Sequence, residues 1–223
     1  MATMVKGAAP SRQPPAGQPV LTAGEALAGA TAALILVHGR GGTAQSMLSL
    51  ADELTQPGFA FLAPQAADNT WYPFSFLAPI ERNEPYLSGA LDALNGALEH
   101  LAEAGIPAER TMLLGFSQGA CLALEFAARN TKRYGGLAGL SGGLIGPEGS
   151  PRDYPGSLAG TPVFLGCSDI DPHIPRERVV ESGQVLEHLG GKVTVQIYPG
   201  MGHTVNKTEL DHVRSMMAAI DLT

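Results

Sequence analysis

One junction in the chain limits the choice of fold more than any other. Thr111-Met112-Leu113-Leu114 is a short apolar run that feeds Gly115-Phe116-Ser117-Gln118-Gly119, and a helix-forming segment, Ala120 to Arg129, follows at once. Strand, tight turn and helix in that order place a serine at an apex where the backbone must turn sharply. A residue there sits in a strained conformation, with its side chain pushed clear of the sheet. The positions two before and two after the serine come too close to their neighbours for a Cβ, and both are Gly.

The rest of the chain repeats the strand-then-helix alternation. Ala32 to Val37 is apolar at every position, as expected of a strand covered on both faces of a parallel sheet. It ends in His38-Gly39-Arg40-Gly41-Gly42, and a helix is expected from Thr43, as N-cap, to Leu54. Phe59 to Ala63 reads as a second buried strand closed by Pro64. Residues 64–83 form a long loop holding the only Trp. Glu84 to Ala104 reads as a helix, with Leu87, Leu91, Leu94, Leu98 and Leu101 at three-to-four spacing.

After the junction, strands are expected at Leu137–Leu140, Pro162–Gly166 and Val193–Ile197. Helices are expected at Pro175–Leu189 and Asn206–Ile220. Strands alternating with helices imply a doubly wound, mostly parallel α/β sheet. Val20-Leu21 and Ala26-Leu27 around Gly24 suggest an antiparallel edge hairpin.

The 223 residues suit one domain, expected over 20–223, behind a flexible leader at 1–19 rich in Pro, Gly and Ala. The leader has no apolar core of the signal-peptide kind. A net charge of −7 with no Lys/Arg cluster argues against a nucleic-acid partner. The longest apolar stretch, Ala26 to Val37, is interrupted and too short to span a bilayer, so stable membrane insertion is not expected. Two cysteines, Cys121 and Cys167, read as free thiols in a reducing compartment, and the expected location is cytoplasmic. An exposed apolar strand edge or helix would permit a homodimer.

In open α/β sheets, functional groups collect at the carboxyl ends of strands. Three residue types gather there in order: Ser117, then Asp169 and Asp171, then His203 in Gly200-Met201-Gly202-His203. A serine hydroxyl needs a base to take its proton, and the base needs a carboxylate to fix its tautomer. Ser117, His203 and one aspartate would fill these roles. The turn expected in Asp171-Pro172-His173-Ile174-Pro175 favours Asp171, leaving Asp169 to bond backbone amides.

An oxyanion formed at the site needs preorganised donors. The candidates are the amide of Gln118 and, from the glycine turn, that of Arg40. A plain tight turn and a phosphate-binding loop are the other readings of His38–Gly42. The second lacks both the G-x-G-x-x-G pattern and the Lys of a P-loop. Trp71, Tyr72, Phe74 and Phe76 either pack over the sheet or wall an apolar pocket, with Trp71, Tyr72 and Phe76 as the pocket candidates. His173, in the acid loop, is a further candidate for substrate contact. His38 is expected to bond the glycine turn, while His100, His188 and His212 are expected to face solvent. No His/Asp/Glu pair has metal-ligand spacing, so a metal is not indicated.

Taken together, His38-Gly-Arg-Gly-Gly, Gly115-Phe-Ser-Gln-Gly-Ala, Asp171-Pro-x-Ile-Pro and Gly200-Met-Gly-His resemble the phospholipase/carboxylesterase family of small α/β hydrolases over roughly residues 30–221. The resemblance implies an α/β-hydrolase fold and a cofactor-free serine esterase. It makes Ser117 the nucleophile, Asp171 the acid, His203 the base, and the Gln118 and Arg40 amides the oxyanion donors. The turn is Gly-Arg-Gly-Gly rather than the Gly-Leu-Gly-Asp type of acyl-protein thioesterases, and residues 70–85 look more like a bacterial esterase subgroup. The expected substrates are short- to medium-chain carboxylic esters. A lysophospholipase or acyl thioesterase with a longer acyl groove is the alternative, and a binding protein on the same scaffold is the non-enzyme reading.

Overall fold

The apolar runs become the middle of one sheet. The computed structural model describes residues 19–221, so residues 1–18 of the expected leader lie outside the described residues. The described residues hold seven strands, β1 (Val20–Gly24), β2 (Ala32–Val37), β3 (Phe59–Pro64), β4 (Thr111–Phe116), β5 (Gly136–Leu140), β6 (Pro162–Ser168) and β7 (Lys192–Tyr198). Their spatial order is β1-β3-β2-β4-β5-β6-β7. All neighbours pair in parallel except β1 with β3, which is antiparallel.

Among the described residues five α-helices cover both faces: α1 (Ala44–Ala51), α2 (Tyr86–Glu103), α3 (Gln118–Arg129), α4 (Arg176–His188) and α5 (Lys207–Ala218). The alternation along β2 shows how the faces are divided. Ala32, Leu34 and Leu36 pack into one core with α1 and α5; Ala33, Ile35 and Val37 pack into the other with α2, α3 and α4. Every residue of β2 is buried, which is why its sequence lacks a polar face. Thr43 caps α1 through a bond from the Ser46 amide, as its residue type predicts. Asn206 caps α5 in a capping box with Glu209.

The edge differs from the expected hairpin. β1 pairs with β3, from Val20 opposite Pro64 to Gly24 opposite Ala60, while Ala26 and Leu27 lie in a turn. Local pattern marks a strand but not its partner. The neighbour chosen here is a buried strand far along the chain, which β1 shields on its open side.

Candidate active site

β4 delivers Ser117 to the carboxyl edge of the sheet. Its backbone has φ 54° and ψ −120°, a region costly for any side chain. The two glycines around it are required by contact. A Cβ on Gly115 would lie 2.2 Å from the Gly119 carbonyl oxygen, and one on Gly119 would lie 2.1 Å from the Val37 oxygen. The turn after β2 also approaches tightly: a Cβ on Gly39 would come within 3.2 Å of the Ser117 Cβ.

Three loops meet at this point. His203 Nε2 stands 2.8 Å from Ser117 Oγ, and His203 Nδ1 stands 2.7 Å from Asp171 Oδ2. A carboxylate can only accept, so Nδ1 carries the proton and Nε2 is left to accept from the serine. The side chain of Asp171 is fully buried. Burial alone would raise its pKa, but the bond from His203 and the amides of His173 and Ile174 outweigh it and hold the carboxyl below its ordinary value. Asp169 does something else. Its Oδ1 accepts from the Gly200 amide at 2.7 Å, and Ser168 Oγ accepts from the Gly202 amide at 3.1 Å, so the acid loop and the histidine loop are stapled together.

Other candidates fall into place around this line. His173 is exposed, with its ring edge-on to His203 at 4.8 Å between centroids. Gln118 opens α3, so its amide is one of the first-turn donors without an intrahelical partner, at the positive end of the helix. Its side chain is anchored: Oε1 accepts from the Trp71 amide at 3.0 Å, and Nε2 donates to the Tyr72 carbonyl at 2.8 Å. The Arg40 guanidinium donates to the carbonyls of Tyr72, Pro73 and Phe74 at 2.9, 3.0 and 2.8 Å.

The aromatic residues turn inward. Trp71, Tyr72 and Phe76 are 5%, 1% and 6% exposed and belong to the core shared with α2 and α3. Trp71 Nε1 donates to the His38 carbonyl at 2.8 Å, while Phe74 stays exposed under the Arg82 guanidinium. His38 is buried and its Nε2 accepts from the Ala66 amide, which leaves Nδ1–H to donate to Gly39; burial lowers its pKa and keeps it neutral. His100 and His188 are exposed, but His212 is not the solvent-facing residue expected. It is partly buried and stacks on Phe164 at 4.1 Å.

Two neighbours of the site escape sequence reasoning. The Phe116 ring lies 5.0 Å from that of His203, and the buried Cys167 thiol reaches Asp171 Oδ2 at 3.8 Å. Phe116 could have been found from its place beside Ser117; nothing in the sequence marks Cys167. Among the described residues no group of three or more His, Cys, Asp or Glu is arranged to hold a metal.

The family model described as phospholipase/carboxylesterase matches residues 24–220. The chain belongs to the phospholipase/carboxylesterase family. Among solved structures it resembles the phospholipase/carboxylesterase of Dyadobacter fermentans, with 40% identity, a TM-score of 0.87, and coverage of 91% of this chain and 97% of that one. It also resembles esterase PE8, with 25% identity, a TM-score of 0.74 and coverage of 92% and 98%.

Among curated proteins it is similar to acyl-protein thioesterase 1 of Gibberella zeae, 36% identical over 120 residues. That match spans only 50% of the fungal protein and 52% of this chain. The same-named protein of Neurospora crassa matches at 26% over 218 residues, covering 86% of this chain and 88% of that one. Phospholipase/carboxylesterase family members are hydrolases of ester bonds, and this chain is a carboxylesterase/acyl-protein thioesterase-type α/β hydrolase. No helix among the described residues is long and apolar enough to cross a membrane.

Proposed function

We propose that this protein is a cytoplasmic serine carboxylesterase that hydrolyses short- to medium-chain carboxylic esters. The observation that carries the reading is the line Ser117 Oγ, His203, Asp171, with contacts of 2.8 and 2.7 Å on a strained strand-to-helix turn. Ser117 attacks the ester carbonyl while His203 Nε2 takes its proton. Asp171 stabilises the imidazolium that results. His203 then returns the proton to the departing alcohol, leaving an acyl group on Ser117. Water, activated by the same nitrogen, releases the acid. The amides of Gln118 and Arg40 hold the oxyanion in both steps. The 40% identity to a bacterial phospholipase/carboxylesterase supports an ester substrate, and two buried free cysteines suit a reducing compartment.

The similarity to fungal acyl-protein thioesterases favours a second reading, hydrolysis of long-chain acyl thioesters with the same residues. Rates on p-nitrophenyl esters from acetate to palmitate, alongside acyl thioesters and with a Ser117→Ala control, test both. Activity that peaks at short chains and vanishes in the control is expected. A peak at long chains or on thioesters moves the substrate to the second reading, and a control that hydrolyses like the parent refutes the mechanism.

A further inference from the structure

The two residues proposed to donate to the oxyanion come from opposite sides of the site. Arg40 lies in the turn after β2, and Gln118 opens α3. Their side chains nevertheless end on one atom. Tyr72 O accepts from Arg40 Nη2 at 2.9 Å and from Gln118 Nε2 at 2.8 Å. A carbonyl oxygen has two lone pairs, and both are used here. The bond from a guanidinium polarises the carbonyl and strengthens the second bond to it.

The segment around Tyr72 makes further links to the same two elements. Trp71 N–H donates to Gln118 Oε1 and Trp71 Nε1 donates to His38 O, in the same turn as Arg40. Arg40 also reaches the carbonyls of Pro73 and Phe74. Residues 71–74 therefore join the glycine turn to the first turn of α3.

That turn needs outside support. Gly39, Gly41 and Gly42 flank Arg40 and leave the backbone wide conformational freedom, against which the turn itself sets two backbone bonds, Gly41 N–H to Asn69 O at 2.8 Å and Gly42 N–H to Gly39 O at 3.0 Å. A donor misplaced by about 1 Å can cost roughly a hundredfold in rate. Resting on the serine-esterase reading above, we propose that the side chains of Arg40 and Gln118 are positioning residues. Through the shared Tyr72 carbonyl they set the spacing between the two backbone amides that receive the oxyanion. Neither side chain is assigned contact with substrate.

The test compares Arg40→Met, Arg40→Lys and Gln118→Met with the parent on p-nitrophenyl butyrate, and measures inhibition by n-butylboronic acid, whose tetrahedral adduct places an oxygen where the oxyanion forms. A loss of at least about fivefold in kcat is expected for each variant, with KM within about threefold and boronate inhibition weakened in parallel. Arg40→Met combined with Gln118→Met should lose less than the product of the single effects, because both act through one carbonyl. Arg40→Lys keeps the charge but not the fork that spans three carbonyls, so it should fall with Arg40→Met.

Losses below about fivefold in both Met variants overturn the proposal. So does full activity in Arg40→Lys, which would assign the effect to charge. The Arg40 side chain is exposed, so its variants decide the matter if Gln118→Met does not fold. Ser117→Ala separates the two levels. If it is inactive while the Met variants keep kcat, the bracing alone has failed. If it stays active, the esterase reading has failed and the bracing with it.

Discussion

His203 Nε2 lies 2.8 Å from Ser117 Oγ although 86 residues separate them in the chain. Each is delivered by the end of a different parallel strand, β7 and β4, with β5 and β6 between them. The contact exists because the loop after β7 folds back over two strands and is tied down on the way. Asp169 holds Gly200, Ser168 holds Gly202, and the capping box holds Asn206 to α5.

The two aspartates of the acid loop should separate cleanly. Asp171→Asn removes the charge that orients His203 and is expected to lower kcat by about 10³–10⁴-fold with little loss of stability. Asp169→Ala removes only the tie to Gly200 and should cost about 1 kcal/mol in unfolding free energy, with kcat within about tenfold of the parent. Steady-state kinetics and urea titration of both variants check the assignment; reversed effects would make Asp169 the acid.

Ser117→Gly should be inactive but more stable than the parent. Glycine relieves a strain of about 1–3 kcal/mol at φ 54° and returns about 0.5–1 kcal/mol through greater freedom of the unfolded chain. The net gain expected is about 1 kcal/mol in urea unfolding. Ser117→Ala keeps the strain and should show no such gain.

Gly119→Ala should fail for a different reason. Its methyl group would sit 2.1 Å from the Val37 carbonyl oxygen and 2.5 Å from that of His38. Both are backbone atoms at the end of β2, with no rotamer to change. A loss of about 3 kcal/mol or more is expected, seen as a fall in the thermal midpoint or as insoluble protein. Parent-like stability would mean that α3 can shift away from β2.

Glu209 gives the fold a pH dependence of its own. It is fully buried, its Oε1 has no hydrogen-bond partner among the described residues, and burial raises its pKa to about 7 against the partial opposition of the Asn206 amide. A carboxyl raised in the folded state favours folding while protonated. That stability is present in full below the unfolded value of 4.5 and is lost as pH rises through about 7. The shift corresponds to about 3 kcal/mol. Glu209→Gln keeps a neutral cap on Asn206, so it should match the parent near about pH 4 and melt higher than the parent near about pH 8.5. A variant that melts lower than the parent near about pH 8.5 would show that the carboxylate stabilises the fold in its charged form.

Much of the fold was legible because its signals are local. β2, β3 and β4 are buried on both faces and so are written as unbroken apolar runs. α2 shows its buried stripe at Leu87, Leu94, Leu98 and Leu101. Ser117, Asp171 and His203 could be picked out because strand ends are where side chains escape a doubly wound sheet. What periodicity does not carry is the identity of a distant partner. Local pattern offers β1 a neighbour close in sequence, yet it pairs with β3. A histidine on an amphipathic helix often faces solvent, yet His212 stacks on the ring of Phe164. The same holds for the loop of Trp71 and Tyr72. Its composition shows that aromatic groups are present, but only the fold shows that they dive beneath the loop while their backbone atoms serve Arg40 and Gln118.

Every group proposed for chemistry sits at one end of the sheet, on turns that follow β2, β4, β6 and β7. The turns at the opposite end, such as Gly105–Arg110 and Asn130–Gly135, contribute none of them. The molecule is thus divided into a conservative interior and a rewritable rim. Trp71, Tyr72, Phe76, Leu144 and Ile145 root the loops that follow β3 and β5 in the core, so a route to new substrates runs through their exposed positions, such as Phe74, whereas the opposite end is where a fluorescent label or a surface tether can be attached without entering the path of the reaction.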